Sequence, residues 1–191
     1  MRTILAGNDL KICAIGECGL DKSYKNKTEP ILQQVIFIEQ LKLANEFSKP
    51  VILHFRDDYD KGLDILKSTL HPLTPVHVHC YTSTIKMAEE IMSSFPNAKF
   101  GFTGVVTYPS ASNVRDVVKK LPLSKIVCET DGPFFPMDRS RCVALPQDIP
   151  MVAEVIGNLK KKPLDYILTQ NMHNCKEIYS DVFKEAITSR T

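Results

Sequence analysis

Four short apolar segments of this chain each lead into a residue that can bind a metal ion. The segments are Ala14-Ile15-Gly16-Glu17, Val51-Ile52-Leu53-His54, Val76-His77-Val78-His79 and Lys125-Ile126-Val127-Cys128-Glu129-Thr130-Asp131. Short runs rich in Val and Ile are typical of buried parallel strands. Ligands of α/β proteins bind at the carboxyl ends of such strands. Two histidines and two carboxylates in these positions predict one metal site, provided that the strands are neighbours.

The spacing of these segments fits a series of strand–helix units. His54 and His79 are 25 residues apart, which is room for one unit, and His79 and Asp131 are 52 residues apart, which is room for two. A further apolar run at 99–104 lies between the last two segments. We expect strands to start near residues 11, 50, 75, 98 and 125. Five such units in series predict a parallel sheet with right-handed crossovers.

Apolar residues at helical spacing fill the intervals between the expected strands. They predict helices at 29–47, 60–70, 83–95, 113–121, 148–159 and 164–179. The segment 133–146 carries three prolines and several charges, and it reads as a long loop after the last strand. Active-site loops normally lie in this position.

Length and composition are those of one globular domain, which we expect to span residues 1–191. Hydrophobic residues make up 43% and charged residues 24% of the chain, which are ordinary values. The net charge of +2 is too small to argue by itself for nucleic-acid binding. No apolar stretch approaches the length of a membrane span, so we expect no membrane association.

Cysteine usage indicates the compartment. Six cysteines occur without a Cys-x-x-Cys pair, a pattern that suits reduced thiols and not a disulfide scaffold or a zinc ribbon. The first residues have too short an apolar region for a signal peptide. We therefore expect an intracellular protein, cytoplasmic or nuclear.

Five motifs in this chain occur together and in order. They are Gly16-Glu17-Cys18-Gly19-Leu20-Asp21, His54-Phe55-Arg56, His79-Cys80-Tyr81-Thr82, Gly101-Phe102-Thr103-Gly104 and Glu129-Thr130-Asp131-Gly132-Pro133-Phe134. Together they closely resemble the TatD family of metal-dependent deoxyribonucleases, within the amidohydrolase-like TIM barrels. Gln33, Phe37, Gln40 and Asn174 also fall where helices of that family have similar residues. The resemblance runs from about residue 11 to about residue 180.

The resemblance implies an α/β fold of the TIM-barrel (β/α)₈ type. A closed barrel of this kind needs about 250 residues, and only five units are visible here. We therefore expect an incomplete barrel with about five parallel strands, in which the first three β/α units are missing. The His-x-His segment usual on the family's first strand has no counterpart upstream of Glu17. An open five-stranded sheet is the alternative, although no glycine-rich phosphate loop follows the first strand.

The resemblance also implies a site with one or two divalent metal ions that hydrolyses DNA by metal-activated water. Glu17 resembles the carboxylate that bridges two metals, and His54 and His79 resemble imidazole ligands. Asp131 resembles the ligand and base near the attacking water, so that Glu17 and Asp131 are the expected catalytic residues. Arg56 and Glu129 are expected to contact substrate. Mg²⁺ is the expected ion, with Mn²⁺ or Zn²⁺ as alternatives; DNA is the expected substrate, with no obligate protein partner.

The three remaining histidines are expected to have structural roles. His77 lies on the same face of its strand as His79. Because His79-Cys80-Tyr81 aligns with a family motif, we expect His77 to be a hydrogen-bonded core histidine one layer deeper. His71, in a Leu-His-Pro turn, and His173, on the last helix, are expected to be structural or solvated.

Two other functions stay open beside the nuclease. A catalytically impaired relative could act as a binding or regulatory protein. Another amidohydrolase-type metallohydrolase would act on an amide, a lactone or a nucleobase. Such enzymes often carry a lysine as the metal bridge, and the glutamate at position 17 favours the nuclease.

Overall fold

A computed structural model describes residues 2–7, 12–23, 25–137 and 140–181 of the chain. Five parallel strands alternate with helices, which confirms the α/β prediction. The strands are β1 (Ile15–Asp21), β2 (Val51–Arg56), β3 (Val76–Val78), β4 (Ala98–Phe102) and β5 (Ile126–Cys128). The helices are α1 (Arg2–Ala6), α2 (Pro30–Glu46), α3 (Tyr59–Thr69), α4 (Ile85–Ser94), α5 (Ser112–Lys120), α6 (Ile149–Lys160) and α7 (Leu164–Ile178). None of the helices in the described part of the chain combines the length and the hydropathy that a membrane-spanning helix requires.

Four of the five strands begin within one residue of their predicted starts. The exception is β1, which begins at Ile15 and not near position 11. Position 11 itself lies outside the described residues. Pairing starts where the Ile15 amide donates a hydrogen bond to the Pro50 carbonyl, at 2.9 Å. The short helix α1 has no counterpart among the sequence predictions.

The chain divides into two compact units. The first comprises the described residues within 1–78, 90–98 and 176–191, and the second comprises those within 79–89 and 99–175. A single domain over 1–191 stays a prediction.

In the first unit, β2 pairs in parallel with both β1 and β3. The register sets Gly19 opposite His54 and Leu53 opposite Val78. Strand β2 buries alternate residues, Phe55 among them, and the Phe55 ring meets Phe37 of α2 edge to face at 5.7 Å. Because side chains alternate across a strand, this core contact turns His54 to the other face of β2.

In the second unit, β4 pairs in parallel with β5, with Phe102 opposite Cys128. Every residue of both strands is buried. Helix α7 is anchored beside β5 by Asn174, which is fully buried and donates hydrogen bonds to the carbonyls of Leu123 and Ile126, at 2.8 and 2.7 Å. These contacts hold the start of β5 and thereby fix the position of the residues that follow it.

Candidate active site

Glu17 and His54 lie within their strands and not at the strand ends that the sequence predicts. Strand β1 continues four residues past Glu17, and β2 continues two residues past His54. The cause is pairing of the three residues that end each strand: Gly19, Leu20 and Asp21 lie opposite His54, Phe55 and Arg56. The register between the strands also shifts between Ile15 and Cys18, which places Glu17 at the irregularity.

Gly19 allows β1 to approach β2 beside His54. A Cβ atom on Gly19 would lie 1.9 Å from the His54 carbonyl oxygen, and the glycine has a φ of +155°. Residues other than glycine rarely adopt this backbone conformation. The glycine in the motif Glu17-Cys18-Gly19 therefore positions the two strands that carry the first pair of predicted ligands.

The first unit brings together a group that we call the Glu17 cluster, formed by Glu17, Asp21, His54 and Arg56. His54 Nδ1 lies 3.6 Å from Glu17 Oε2, and His54 Nε2 lies 3.9 Å from Asp21 Oδ2. Both distances exceed the range of a hydrogen bond. Two ligands that share an ion at about 2.1 Å lie roughly 3.0–3.4 Å apart. Of the two distances, the one between Glu17 and His54 is nearer to this range.

Asp21 is a member of this cluster that the sequence did not single out as a ligand. Partial burial raises its pKa, but hydrogen bonds from Ser23 and the charges of Arg56 and His54 outweigh that effect and lower the pKa below its ordinary value. The Arg56 guanidinium lies 3.9 Å from the Asp21 carboxylate. The place of Asp21 at the end of the first motif was the available signal.

A cavity of about 430 Å³ borders the Glu17 cluster. Its lining includes Glu17, Asp21 and His54, and also the three residues of β1 that lie between Glu17 and Asp21 in the chain. Gln33, which the family resemblance included, shapes this cavity because its amide bonds to both backbone groups of Asp21, at 2.9 and 3.2 Å. The cavity gives a ligand access to the Glu17 and His54 side chains.

The second unit brings together the His79 cluster, formed by His79, Cys80, Glu129 and Asp131. His79 directly follows β3, and both acidic residues follow β5, as predicted. His79 Nε2 lies 3.2 Å from Asp131 Oδ1, and His79 Nδ1 lies 3.1 Å from Glu129 Oε2. The ligand atoms of His79, Cys80 and Asp131 lie within 4.8 Å of one another. Ligand atoms this close together can bind one metal ion.

Glu129 uses both carboxylate oxygens within this cluster. While Oε2 contacts His79, Oε1 accepts a hydrogen bond of 2.6 Å from the Cys80 backbone amide. Cys80 has a φ of 44°, in the left-handed region that residues other than glycine adopt at a cost in free energy. Glu129 therefore holds both the His79 imidazole and the backbone that follows it. The sequence suggested a substrate contact for Glu129, and it suggested no role for Cys80.

His77 is the hydrogen-bonded core histidine that the sequence predicted. Its side chain is 5% exposed, and its Nδ1 atom lies 2.6 Å from the hydroxyl of Tyr179. All six cysteines are free thiols. Burial, with a smaller effect of the Glu17 charge, raises the pKa of Cys18 to about 12, so this thiol beside Glu17 is protonated at neutral pH.

Each unit thus presents an imidazole next to a carboxylate. This donor set binds divalent ions such as Zn²⁺ and Mn²⁺, and carboxylates also bind Mg²⁺. The four predicted ligands occur as the pair Glu17 and His54 and the pair His79 and Asp131, one pair within each unit.

Known proteins resemble this chain over most of its length. Residues 3–180 match the family model described as TatD related DNase. The human protein named 3'-5' RNA nuclease TATDN2 is 36% identical over 174 residues, which are 89% of this chain and 23% of that protein. The 3'-5' ssDNA/RNA exonuclease TatD of Erwinia billingiae is 31% identical over 175 residues, which are 88% of this chain and 66% of the relative.

A solved structure shows the same fold. The crystal structure of YjjV, a TatD homologue from Escherichia coli, superposes with a TM-score of 0.85 at 33% identity, over 94% of this chain and 68% of that one. This chain therefore spans between 23% and 68% of the length of these three relatives. The family match, the identities and the superposition agree, and the chain belongs to the TatD-related DNase family of metal-dependent hydrolases.

Proposed function

We propose that this chain carries the active-site residues of a metal-dependent nuclease that hydrolyses DNA phosphodiester bonds. The observation that carries the proposal is the pairing of an imidazole with a carboxylate in each unit, at family motifs: Glu17 with His54, and His79 with Asp131. Relatives named as nucleases support a nucleic-acid substrate. Their names include both RNA and single-stranded DNA, so RNA is the alternative substrate to test.

We assign Glu17, His54, His79 and Asp131 as ligands of one or two divalent ions, with Mg²⁺ as the physiological ion and Mn²⁺ or Zn²⁺ as alternatives. The distances within each pair support the assignment: Glu17 lies 3.6 Å from His54, and Asp131 lies 3.2 Å from His79. A bound divalent ion supplies a water molecule of lowered pKa and offsets negative charge on the phosphoryl oxygens.

The other charged residues have supporting roles. Asp131 has one oxygen on His79, and its side chain is 21% exposed, so it can accept a proton from an attacking water. Arg56, 44% exposed, offers a guanidinium to a substrate phosphate. Glu129 was expected to contact substrate, but its two contacts favour orienting His79, since a carboxylate on the second ring nitrogen fixes the tautomer of a metal-binding histidine.

The proposal is tested by nuclease assays on the purified chain with fluorescent single-stranded DNA and RNA of one sequence. Cleavage should require an added divalent ion and stop with chelator. Glu17→Ala and Asp131→Asn should each lower the cleavage rate by at least about 100-fold. His77→Ala should lower the rate less, because His77 lies in the core and is not one of the proposed ligands. A His77→Ala variant that is folded but as inactive as Glu17→Ala would contradict the assignment. Ion binding without cleavage of either substrate would indicate a binding protein.

A further inference from the structure

Phe134 presents an aromatic ring to solvent three residues after Asp131. The residue is 61% exposed, whereas the only other aromatic residue of comparable exposure in the described part of the chain is Tyr166, at 48%. A single exposed apolar side chain is common and marks no site by itself. Two further observations distinguish Phe134.

The first observation is that the backbone of Phe134 is tied to Asp131. The Phe134 amide donates a hydrogen bond of 2.6 Å to the Asp131 carbonyl, and the two residues form an isolated antiparallel bridge. The backbone that carries the exposed ring is therefore held next to the backbone of a proposed catalytic residue.

The second observation is that Phe134 belongs to a row of three aromatic rings. Its ring centroid lies 6.5 Å from that of Phe135, which meets Tyr108 edge to face at 6.0 Å. The backbone of this segment also packs tightly on Gly104, because a Cβ there would lie 2.1 Å from the Phe135 carbonyl oxygen. Phe134 is thus the exposed end of a supported aromatic row.

We propose that Phe134 is a platform on which one base of single-stranded nucleic acid stacks beside the cleaved bond. This inference rests on the proposed function. Every base offers a flat π-face, so stacking on an aromatic ring tolerates any sequence and either sugar. A phenyl ring offers a phosphate neither a positive charge nor a hydrogen-bond donor, which leaves the uncharged base as the group that suits the ring. Bases of a duplex are already stacked, and Phe134 therefore favours single strands or frayed ends.

The test compares two fluorescein-labelled ligands of equal length and charge, an oligothymidylate of eight nucleotides and its fully abasic analogue. Binding to the purified chain is measured by anisotropy in EDTA and again in Ca²⁺. The variants are Phe134→Leu, which keeps apolar volume but removes the ring, and Phe134→Trp, which enlarges it. Tyr166→Leu is the matched control, since it removes an exposed aromatic ring of another segment. Melting temperatures verify that each variant is folded.

In at least one condition, the wild-type chain should bind oligothymidylate more tightly than the abasic strand. Phe134→Leu should weaken oligothymidylate binding by about 5- to 100-fold and leave abasic binding unchanged, as expected for one lost stacking contact. Phe134→Trp should retain the preference, and Tyr166→Leu should match wild type. Unchanged binding in Phe134→Leu, no wild-type preference for bases, or an equal loss in Tyr166→Leu would each overturn the inference.

Hydrolysis separates this inference from the proposed function. With Mg²⁺ or Mn²⁺, Phe134→Leu should raise KM for oligothymidylate and change kcat by less than about twofold. If the wild-type chain cleaves oligothymidylate and Phe134→Leu has the same KM, the proposed nuclease function stands and the stacking role of Phe134 is contradicted. If binding depends on the Phe134 ring but no hydrolysis is detected, the stacking role stands and the proposed nuclease function is contradicted.

Discussion

His79 is the residue whose surroundings say most about the site. It is 6% exposed and lies between two carboxylates, one on each ring nitrogen. The two carboxylates differ in what else they contact. Glu129 also accepts a hydrogen bond from the Cys80 amide. Asp131 contacts His79 with one oxygen, and its side chain is more exposed than that of Glu129. Glu129 is therefore suited to orient the imidazole, and Asp131 is suited to bind the same ion as His79.

Glu129→Gln should disturb His79 without changing the size of the side chain. Glu129 contacts the Cys80 amide and His79 Nδ1 with different oxygens. Glutamine replaces one of these oxygens by an NH2 group, which donates and cannot accept, so one of the two contacts is lost. We expect metal affinity, measured by Co²⁺ titration, to fall by about 10- to 100-fold. Nitrogen-15 NMR of the imidazole should show a changed tautomer distribution for His79, identified by the signals lost in His79→Asn.

The control for this substitution is Glu154→Gln, at an exposed position on α6. It should leave both metal affinity and the imidazole spectrum unchanged. If Glu129→Gln keeps the wild-type tautomer and affinity, Glu129 does not orient His79.

Cysteine reactivity is a second prediction at the scale of residues. Burial, followed by the charges of Cys175 and Glu129, raises the pKa of Cys128 to about 12. At pH 8 the Cys128 thiol is therefore almost fully protonated, and the thiolate that alkylating agents need is scarce. With iodoacetamide, we expect the exposed Cys142 to react at least about tenfold faster than Cys128, as followed by peptide mass spectrometry.

The same reaction in guanidinium provides the control, because unfolding exposes all six thiols and should equalise their rates. Native-state alkylation of Cys128 at the rate of Cys142 would show that β5 is not closed to the reagent.

At the scale of elements, the close contact of β1 and β2 builds the Glu17 cluster. The pairing of Gly19 with His54 extends both strands beyond the predicted ligands. This extension sets Asp21 opposite Arg56 and within 3.9 Å of His54. The glycine is thus as necessary to the cluster as the ligands, because no other residue lets the strands come so close.

Gly19→Ala should destabilise the chain and displace His54. The added Cβ would meet the His54 carbonyl, 1.9 Å away, and alanine disfavours the φ of +155°. We expect a loss of about 2–4 kcal/mol in the free energy of unfolding, measured with urea. Gly7→Ala is the matched control, since its Cβ would meet no atom closer than 3.3 Å, and it should cost about 1 kcal/mol or less. Equal losses in the two variants would contradict this account of β1.

For the whole molecule, ion binding should be coupled to folding. Glu17 and His54 are 37 residues apart in the chain, and His79 and Asp131 are 52 apart. Only the folded chain brings each pair within 4 Å. An ion held by such residues binds the native state and not the unfolded one, and it stabilises the native state by mass action.

Manganese should therefore raise the melting temperature. At an ion concentration about 100 times the dissociation constant, the stabilisation is about 2.7 kcal/mol, or roughly 5–10 °C for a chain of this size. The shift, measured by differential scanning calorimetry against each variant's own metal-free value, should be small in His79→Asn. His71→Asn, at an exposed turn, should keep the full shift. A shift that is equal in both variants would place ion binding elsewhere.

The order of the elements and the residue types at the site follow from the amino-acid sequence. Apolar periodicity is local, so it located β2 to β5 and the six longer helices to within a few residues. Family motifs then identified the histidines and carboxylates. The alignment of His79 with one of these motifs also predicted that His77 lies in the core, which its burial and its contact with Tyr179 confirm.

The contacts between these groups depend on how the chain folds. The continuation of β1 past Glu17, the approach of Asp21 to His54 and the two contacts of Glu129 depend on register and on backbone conformation. The left-handed conformation of Cys80 is likewise invisible in the sequence, because cysteine has no preference for it. These features arise between residues distant in the chain, where pairing geometry decides the outcome and local composition does not.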